Sequence, residues 1–302
     1  MSVAFVFPGQ GSHRPGTLAA WADDPALGIL EEVDAGVGRP VRALDTDERT
    51  GARTADAQPA IMATSLVAWR ALTDAGLRPD VVAGHSLGEY TAAIAAGVFG
   101  VRDGARLVAT RGAAMAEACV ANPGTMAAVI KLSPDAVDLL VDGIDGLVVA
   151  NDNAPGQVVV AGTPAAIEAV ADQARDAGGR TVALTVEGAF HSPAMAPAVD
   201  AVRAAIAELR AADPAVPLIS GAHARPGERA SDVTDGLIDG MLAPVRWREV
   251  QLALASRGVT HLVEVGPGKV LAGLAKRTVP DLERFTIESP DDVAATVAAL
   301  GG

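Results

Sequence analysis

The stretch Gly84-His85-Ser86-Leu87-Gly88 constrains this chain more than any other. It follows the apolar run Val81-Val82-Ala83 and precedes small residues of helical character over 89–96. A serine between two glycines at a strand-to-helix junction is the pattern of a nucleophile elbow. A sharp turn lifts the hydroxyl clear of the backbone, and the flanking glycines remove Cβ atoms that the turn would press together. The helix that starts there offers unpaired N–H groups to an oxyanion. The plainer alternative is a tight turn with an incidental serine.

The rest of the chain suits such a turn. Residues 3–7 read as a buried strand ending in the turn Pro8-Gly9-Gln10-Gly11-Ser12, residues 57–75 as a helix, and 216–220 and 261–265 as further strands. Short apolar runs alternating with helical patterns indicate an α/β protein. Between about 125 and 186 the rhythm changes. Strands are predicted at 125–132, 147–150, 157–161 and 180–186, with helices at 134–141 and 164–177. That βαββαβ order is the ferredoxin-like pattern. The expected organisation is a large α/β subdomain of residues 1–124 and 187–302, with 125–186 as a small inserted one. Gly178-Gly179 and residues 224–230 are expected to be turns or loops.

Composition closes off several classes. Half of the 302 residues are apolar, enough for a sizeable core, and the formal charge of −13 disfavours a nucleic-acid surface. No apolar run approaches the ~18 residues of a membrane span. The first residues read as a strand, not a signal peptide, so a cytoplasmic location is expected. The single cysteine, Cys119, excludes an internal disulfide and a cysteine-based metal site, and its setting suggests inert packing. No metal site is predicted.

A serine hydroxyl needs a base. Of the five histidines, His85 adjoins the serine and is expected to point away in a structural role; His13 and His223 sit in turns; His261 opens a strand. His191 follows Glu187-Gly188-Ala189-Phe190 and precedes Ser192-Pro193, which places it in a loop beside a helix start as the candidate base. A hydrolase of this type would carry an acid between serine and histidine in chain order. Asp135, Asp138, Asp142, Asp145 and Asp152 occupy that interval but belong to or adjoin the insert, so a neutral orienter such as a backbone carbonyl is equally open. Arg111 is the other unusual residue. Its helical neighbours at three and four residues are Leu107, Val108, Ala114 and Met115, so it projects from the apolar face, whereas Arg102 and Arg106 share a polar one. A buried guanidinium must meet an anion. Spacing leaves an internal Asp or Glu and a substrate carboxylate equally open.

Together these motifs resemble the malonyl-CoA:acyl carrier protein transacylases, including the discrete acyltransferases of polyketide synthesis. The likeness runs nearly end to end. It rests on Phe7 to Ser12, Gln58-Pro59-Ala60, Gly84 to Tyr90, Thr110-Arg111-Gly112 with Met115, and Asn153 to Gln157. It continues through Gly188 to Pro193, Pro244-Val245-Arg246-Trp247, and Glu264 to Lys269. The resemblance implies a hydrolase-like core with a ferredoxin-like insert, and ping-pong transfer of malonyl from coenzyme A, through an acyl-serine, to the phosphopantetheine thiol of a carrier protein. The pathway would be fatty-acid or polyketide synthesis. It makes Ser86 the nucleophile, His191 the base and Arg111 the partner of the malonyl carboxylate. Backbone N–H groups of Gln10 and Leu87 would form the oxyanion hole. Phe190 would narrow the space beside the α-carbon and favour unbranched malonyl, with Leu87 agreeing. Gln58, His85 and Asn153, each inside a matching motif, are candidates to support the site.

Two departures stand out. Where the family commonly has a glutamine whose carbonyl orients the histidine, this chain has Gly240, and His13 replaces a glutamine. A glycine keeps the carbonyl but is expected to loosen it. The resemblance further implies no permanently bound cofactor, a monomer, and transient docking of an acidic acyl carrier protein. Candidates for a basic docking patch are Arg246, Arg248, Lys269, Lys276 and Arg277. A serine hydrolase, a silent carrier-docking protein and, more weakly, a nucleotide-binding turn at Gly9 to Gly11 are the competing readings.

Overall fold

The computed structural model describes residues 1–47 and 50–301. Among the described residues ten strands form two sheets. The first holds β1 (Val3–Phe7), β2 (Val81–Gly84), β7 (Leu218–Ile219), β8 (Pro226–Gly227), β9 (His261–Val265) and β10 (Glu283–Ile287). Their order is β10-β9-β1-β2-β7-β8, parallel except where β8 returns beside β7. All five residues of β1 are buried, as expected for a central strand covered on both faces. Phe5 and Phe7 join the larger core, while Ala4 and Val6 pack on the other side with Trp247, Leu254 and Leu262. The turn after β1 and the elbow after β2 emerge side by side at the carboxyl ends of parallel strands, where open α/β sheets place their ligand crevices.

The second sheet contains β3 (Thr125–Ile130), β4 (Leu147–Ala154), β5 (Gln157–Gly162) and β6 (Arg180–Ala183), antiparallel throughout in the order β4-β5-β3-β6. Helices Pro134–Asp142 and Pro164–Asp176 connect β3 to β4 and β5 to β6. Each begins with proline after a capping hydroxyl: Ser133 Oγ accepts from Ala136 N, and Thr163 Oγ1 from Ala166 N. One face of this sheet packs Val129, Val158 and Val160 against Val137 and Val170 of those helices. The other, with Met126, Ala128, Val159 and Ala161, joins the main core. The α/β class, the parallel core and the ferredoxin-like order are those expected from the sequence.

Boundaries differ in instructive places. β4 continues to Ala154 through two register shifts, because Asp152 N–H donates to Val245 O and Val245 N–H to Ala150 O. Its polar residues are thus paired with a segment almost a hundred positions away. β6 stops at Ala183, short of the expected 186. Only Leu218–Ile219 of 216–220 pair, and residues 224–230, expected to be loop, supply β8. The helix over 57–75 starts at Thr54, and the one after the elbow starts at Leu87. Among the described residues no helix is long and apolar enough to cross a membrane, and no group of three or more His, Cys, Asp or Glu is arranged to hold a metal.

Candidate active site

The elbow is sterically specified. A Cβ on Gly84 would lie 1.9 Å from the Gly88 carbonyl carbon, and one on Gly88 would lie 2.0 Å from Phe7 O. The β1 turn is also pressed close, since a Cβ on Gly9 would sit 2.7 Å from His85 O. Ser86 itself is held at φ 53°, ψ −107° as it caps helix Leu87–Ala95. For a residue with a Cβ this conformation costs ~1–3 kcal/mol and must be imposed by its surroundings. Gly88 and Glu89 N–H groups are taken by the His85 and Ser86 carbonyls. Leu87, first in the helix, lines the cavity with Gln10.

Ser86 Oγ lies 2.8 Å from His191 Nε2, and His191 Nδ1 lies 2.8 Å from Gly240 O. A carbonyl can only accept, so Nδ1 carries the proton and Nε2 presents its lone pair to the serine hydroxyl. His191 also sits at positive φ, 55°. Burial, then the charge of Arg111 and the neighbouring His85, push its pKa down to about 3, against the Gly240 and Ala243 carbonyls. The imidazole is therefore neutral in the resting site. None of the five aspartates in the interval orients it: Asp152 pairs with Arg248 at 2.7 Å. Gly240 caps the C-terminus of helix Ala230–Asp239. That residue has ordinary helical angles, φ −63° and ψ −10°, and its N–H bonds to Gly236 O at 2.9 Å.

Arg111, 2 % exposed, reaches the same point from helix Val101–Ala121. Nη1 donates to Gln58 Oε1 at 2.6 Å and Nη2 to Ser86 Oγ at 3.2 Å, while the guanidinium lies over the Tyr90 ring, 4.8 Å from its centroid. Nε has no partner, and no carboxylate pairs with this arginine among the described residues. The internal ion pair left open by spacing is thus absent there. Gly112 brings the two long helices together, since a Cβ there would lie 3.1 Å from Thr54 O. Pro59 cannot donate to the carbonyl of Ala55, and Arg39 Nη2 bonds that carbonyl instead, at 3.0 Å. Gln58 Nε2 donates to Thr54 Oγ1 at 2.8 Å, and Thr54 Oγ1 donates to Gln10 Oε1 at 2.9 Å. A continuous side-chain chain therefore joins Arg111 to the β1 turn.

Ser86, His191, Arg111, Gln10, Gln58 and Phe190 share one cavity of about 600 Å³, ample for an acyl thioester arm. Its opposite wall comes from the small sheet, including Met126, Ala128 and Val159. His85 lines it too, so it does not simply point away. Its Nε2 is 2.8 Å from Asn153 Oδ1 on β4, and its ring meets Trp247 edge-on at 5.5 Å. His13 lies at the same cavity, whereas His223 and His261 lie outside it. Cys119 is buried with its thiol pushed up to about 11, mainly by burial. The basic candidates are largely compensated: Arg246 by Glu249, Arg248 by Asp152, and Lys269 by Glu288 at 3.6 Å. Arg277 donates to Gln157.

Sequence reasoning missed Thr54 and Glu89. Thr54 gave no signal. Glu89 lies one turn after Ser86 inside the motif and is 4 % exposed, an acid on a helix otherwise made of small and apolar residues. Burial raises its pKa to about 7, offset in part by the Gly221 N–H, the nearby Ser220 hydroxyl and the charge of Arg111.

Residues 30–297 match the acyl transferase domain family. The malonyl CoA-acyl carrier protein transacylase of Bacillus subtilis is 35% identical over 309 residues, covering 99% of this chain and 97% of that protein. Among solved structures, the acyl-carrier-protein-S-malonyltransferase of Bartonella henselae superposes with a TM-score of 0.95 at 35% identity, covering 100% of both chains. A malonyl-transacylase in complex with its type II PKS acyl-carrier protein superposes at 0.94 with 32% identity, covering 99% of this chain and 100% of that one. Alike in sequence and fold along nearly its whole length, the chain belongs to the malonyl CoA-acyl carrier protein transacylase family of acyl transferases.

Proposed function

We propose that this protein transfers malonyl from malonyl-CoA to the phosphopantetheine thiol of an acyl carrier protein, through an ester on Ser86, in fatty-acid or polyketide synthesis. The observation that carries this reading is a guanidinium with no directly paired carboxylate among the described residues, 3.2 Å from a serine hydroxyl that already bonds a neutral imidazole. That arrangement suits an acyl group with a free carboxylate at its far end.

In the first half-reaction Ser86 Oγ passes its proton to His191 Nε2 and attacks the thioester carbonyl. Backbone N–H groups of Gln10 and Leu87 stabilise the oxyanion. The C–S bond breaks, and His191 returns the proton to the sulfur, releasing coenzyme A as a thiol. In the second half the carrier thiol gives its proton to His191, its sulfur attacks the acyl carbonyl, and the C–Oγ bond breaks. Ser86 then recovers the proton. No resident cofactor takes part; malonyl-CoA and the phosphopantetheine arm are substrates. Gln58 holds the guanidinium of Arg111, Asn153 holds His85, Gly240 O holds His191, and Phe190 narrows the space beside the α-carbon. In this reading residues 125–186 act as a small subdomain over the cleft of a large one, 1–124 with 187–302.

The test is intact-mass analysis after exposure to mixed malonyl-CoA and acetyl-CoA, with and without holo carrier protein. A malonyl adduct on Ser86 that disappears when carrier is added is expected. An acetyl adduct, or one lost as free acid equally fast without carrier, overturns the proposal in favour of a generic transferase or a hydrolase.

A further inference from the structure

Behind Ser86 and His191 lies a second cavity, of about 10 Å³, whose wall includes Glu89, Tyr90, Arg111, Gly221, Leu237 and Gly240. That is near the ~10–15 Å³ that one water requires. Two buried polar atoms on its wall residues have no hydrogen-bond partner among the described residues, Glu89 Oε1 and Arg111 Nε. One accepts and the other donates. A single water accepting from Arg111 Nε–H and donating to Glu89 Oε1 would satisfy both. The carboxylate has little freedom to turn elsewhere. Its Oε2 accepts from Gly221 N at 3.1 Å, and a Cβ on Gly221 or Gly236 would lie 2.8 Å from Oε2 or 3.5 Å from Oε1.

The groups facing Glu89 are few. Arg111 comes from helix Val101–Ala121, Tyr90 from its own helix, His191 from its loop, and Ser220 with Gly221 from the end of β7. The imidazole is neutral, and the phenol, pushed up to about 12 mainly by burial, is neutral too. Arg111 is the one permanent charge among them. We infer that Glu89 is the proton-linked counter-ion of Arg111, joined to it by one water in this cavity, and that seating an acyl carboxylate on Arg111 draws a proton from solvent onto Glu89. The inference rests on Arg111 holding the acyl carboxylate. Two carboxylates around one buried guanidinium oppose each other's ionisation. Since Glu89 alone is already raised to about 7 by burial, a second anion raises it further. The proton returns to solvent when the acyl group leaves.

Below about pH 7 Glu89 is already neutral and malonyl binds without proton uptake. Above it, the proton must be supplied from an ever lower concentration, so preference for malonyl weakens. The experiment measures specificity constants for Ser86 acylation by malonyl-CoA and acetyl-CoA from pH 6 to 9, in wild type and Glu89→Gln. Taking the malonyl-to-acetyl ratio cancels titrations common to both thioesters. In wild type the ratio falls with rising pH, by up to about tenfold for each unit by which the bound carboxylate raises Glu89. In Glu89→Gln it is flat. A flat wild-type ratio, or the same slope in the variant, overturns the inference. Should Glu89→Gln fail to fold, calorimetry decides: Ser86→Ala protein titrated near pH 8 in buffers of different ionisation enthalpy takes up protons with malonyl-CoA but not acetyl-CoA. Equal uptake for both overturns the counter-ion role. A wild-type enzyme with no malonyl preference at any pH overturns instead the functional reading on which it stands.

Discussion

The two sheets meet at one cavity but contribute to it differently. From the parallel sheet and its helices come Ser86, Arg111 and Gln58, and from the loop after the small sheet comes His191, all linked in one chain of hydrogen bonds. From the antiparallel sheet come the apolar side chains Met126, Ala128, Val159 and Ala183 and the amides Asn151, Asn153 and Gln157, of which Asn153 is tied to His85. The parallel sheet presents strand ends and helix starts, where backbone groups lack partners and side chains converge. The antiparallel sheet presents a face, whose backbone is satisfied within the ladder or, at the end of β4, by Val245. A face shapes a ligand; an array of strand ends can react with it. The division of labour follows from sheet geometry.

That contrast is open to direct attack. The largest effect is expected at His191. His191→Ala should slow acylation of Ser86 by roughly 10²–10⁴-fold, read by single-turnover labelling. Because burial holds this imidazole neutral, with its pKa down at about 3, acylation of Glu89→Gln protein by acetyl-CoA should show no acid inflection near 6.5; one there would mean a solvated base. Next comes Arg111→Ala. Losing a desolvated charge-assisted contact costs on the order of 2–5 kcal/mol, so the specificity constant for malonyl-CoA should drop well over tenfold while that for acetyl-CoA holds or improves. Lysine should not rescue it, lacking the planar fork. A parallel loss for both thioesters would make Arg111 a structural residue.

Smaller effects should mark the wall. Phe190→Ser should admit methylmalonyl-CoA, with a gain bounded by the ~1–3 kcal/mol that one methyl is worth; unchanged selectivity would move the specificity wall elsewhere. Asn153→Ala on β4 should be the mildest, about 1 kcal/mol for one neutral hydrogen bond. It should raise the KM for the thioester several-fold at nearly constant kcat. A large fall in kcat there would break the contrast, by making the small sheet a participant in the chemistry.

What could be seen in the sequence follows the same line. The elbow was legible because its glycines are required sterically at fixed spacing, and the insert because its βαββαβ periodicity is local. Arg111 was legible as a charge on an apolar face, although spacing could not name its partner. The orienter of His191 was not legible from residue chemistry, since a main-chain carbonyl has no residue signature; only the family resemblance pointed to Gly240. Nor was the extension of β4, whose hydrogen bonds are made with Val245, or the role of Thr54, a hydroxyl linking two glutamines. Each of these depends on a partner distant in the chain, which periodicity cannot register.

The Gly240 carbonyl also has a chemical consequence. An aspartate behind a catalytic histidine stabilises the imidazolium formed when it takes the serine proton. A neutral carbonyl offers only part of that stabilisation, so the imidazolium here is a stronger acid and surrenders its proton readily. Expelling an amine would make heavy demands on such a site. A thiolate, whose conjugate acid has a pKa of only about 8.5, leaves with little assistance. An uncharged orienter thus matches the basicity of the thiolate expelled in the first half-reaction, and biases the site toward opening thioesters over cleaving amides.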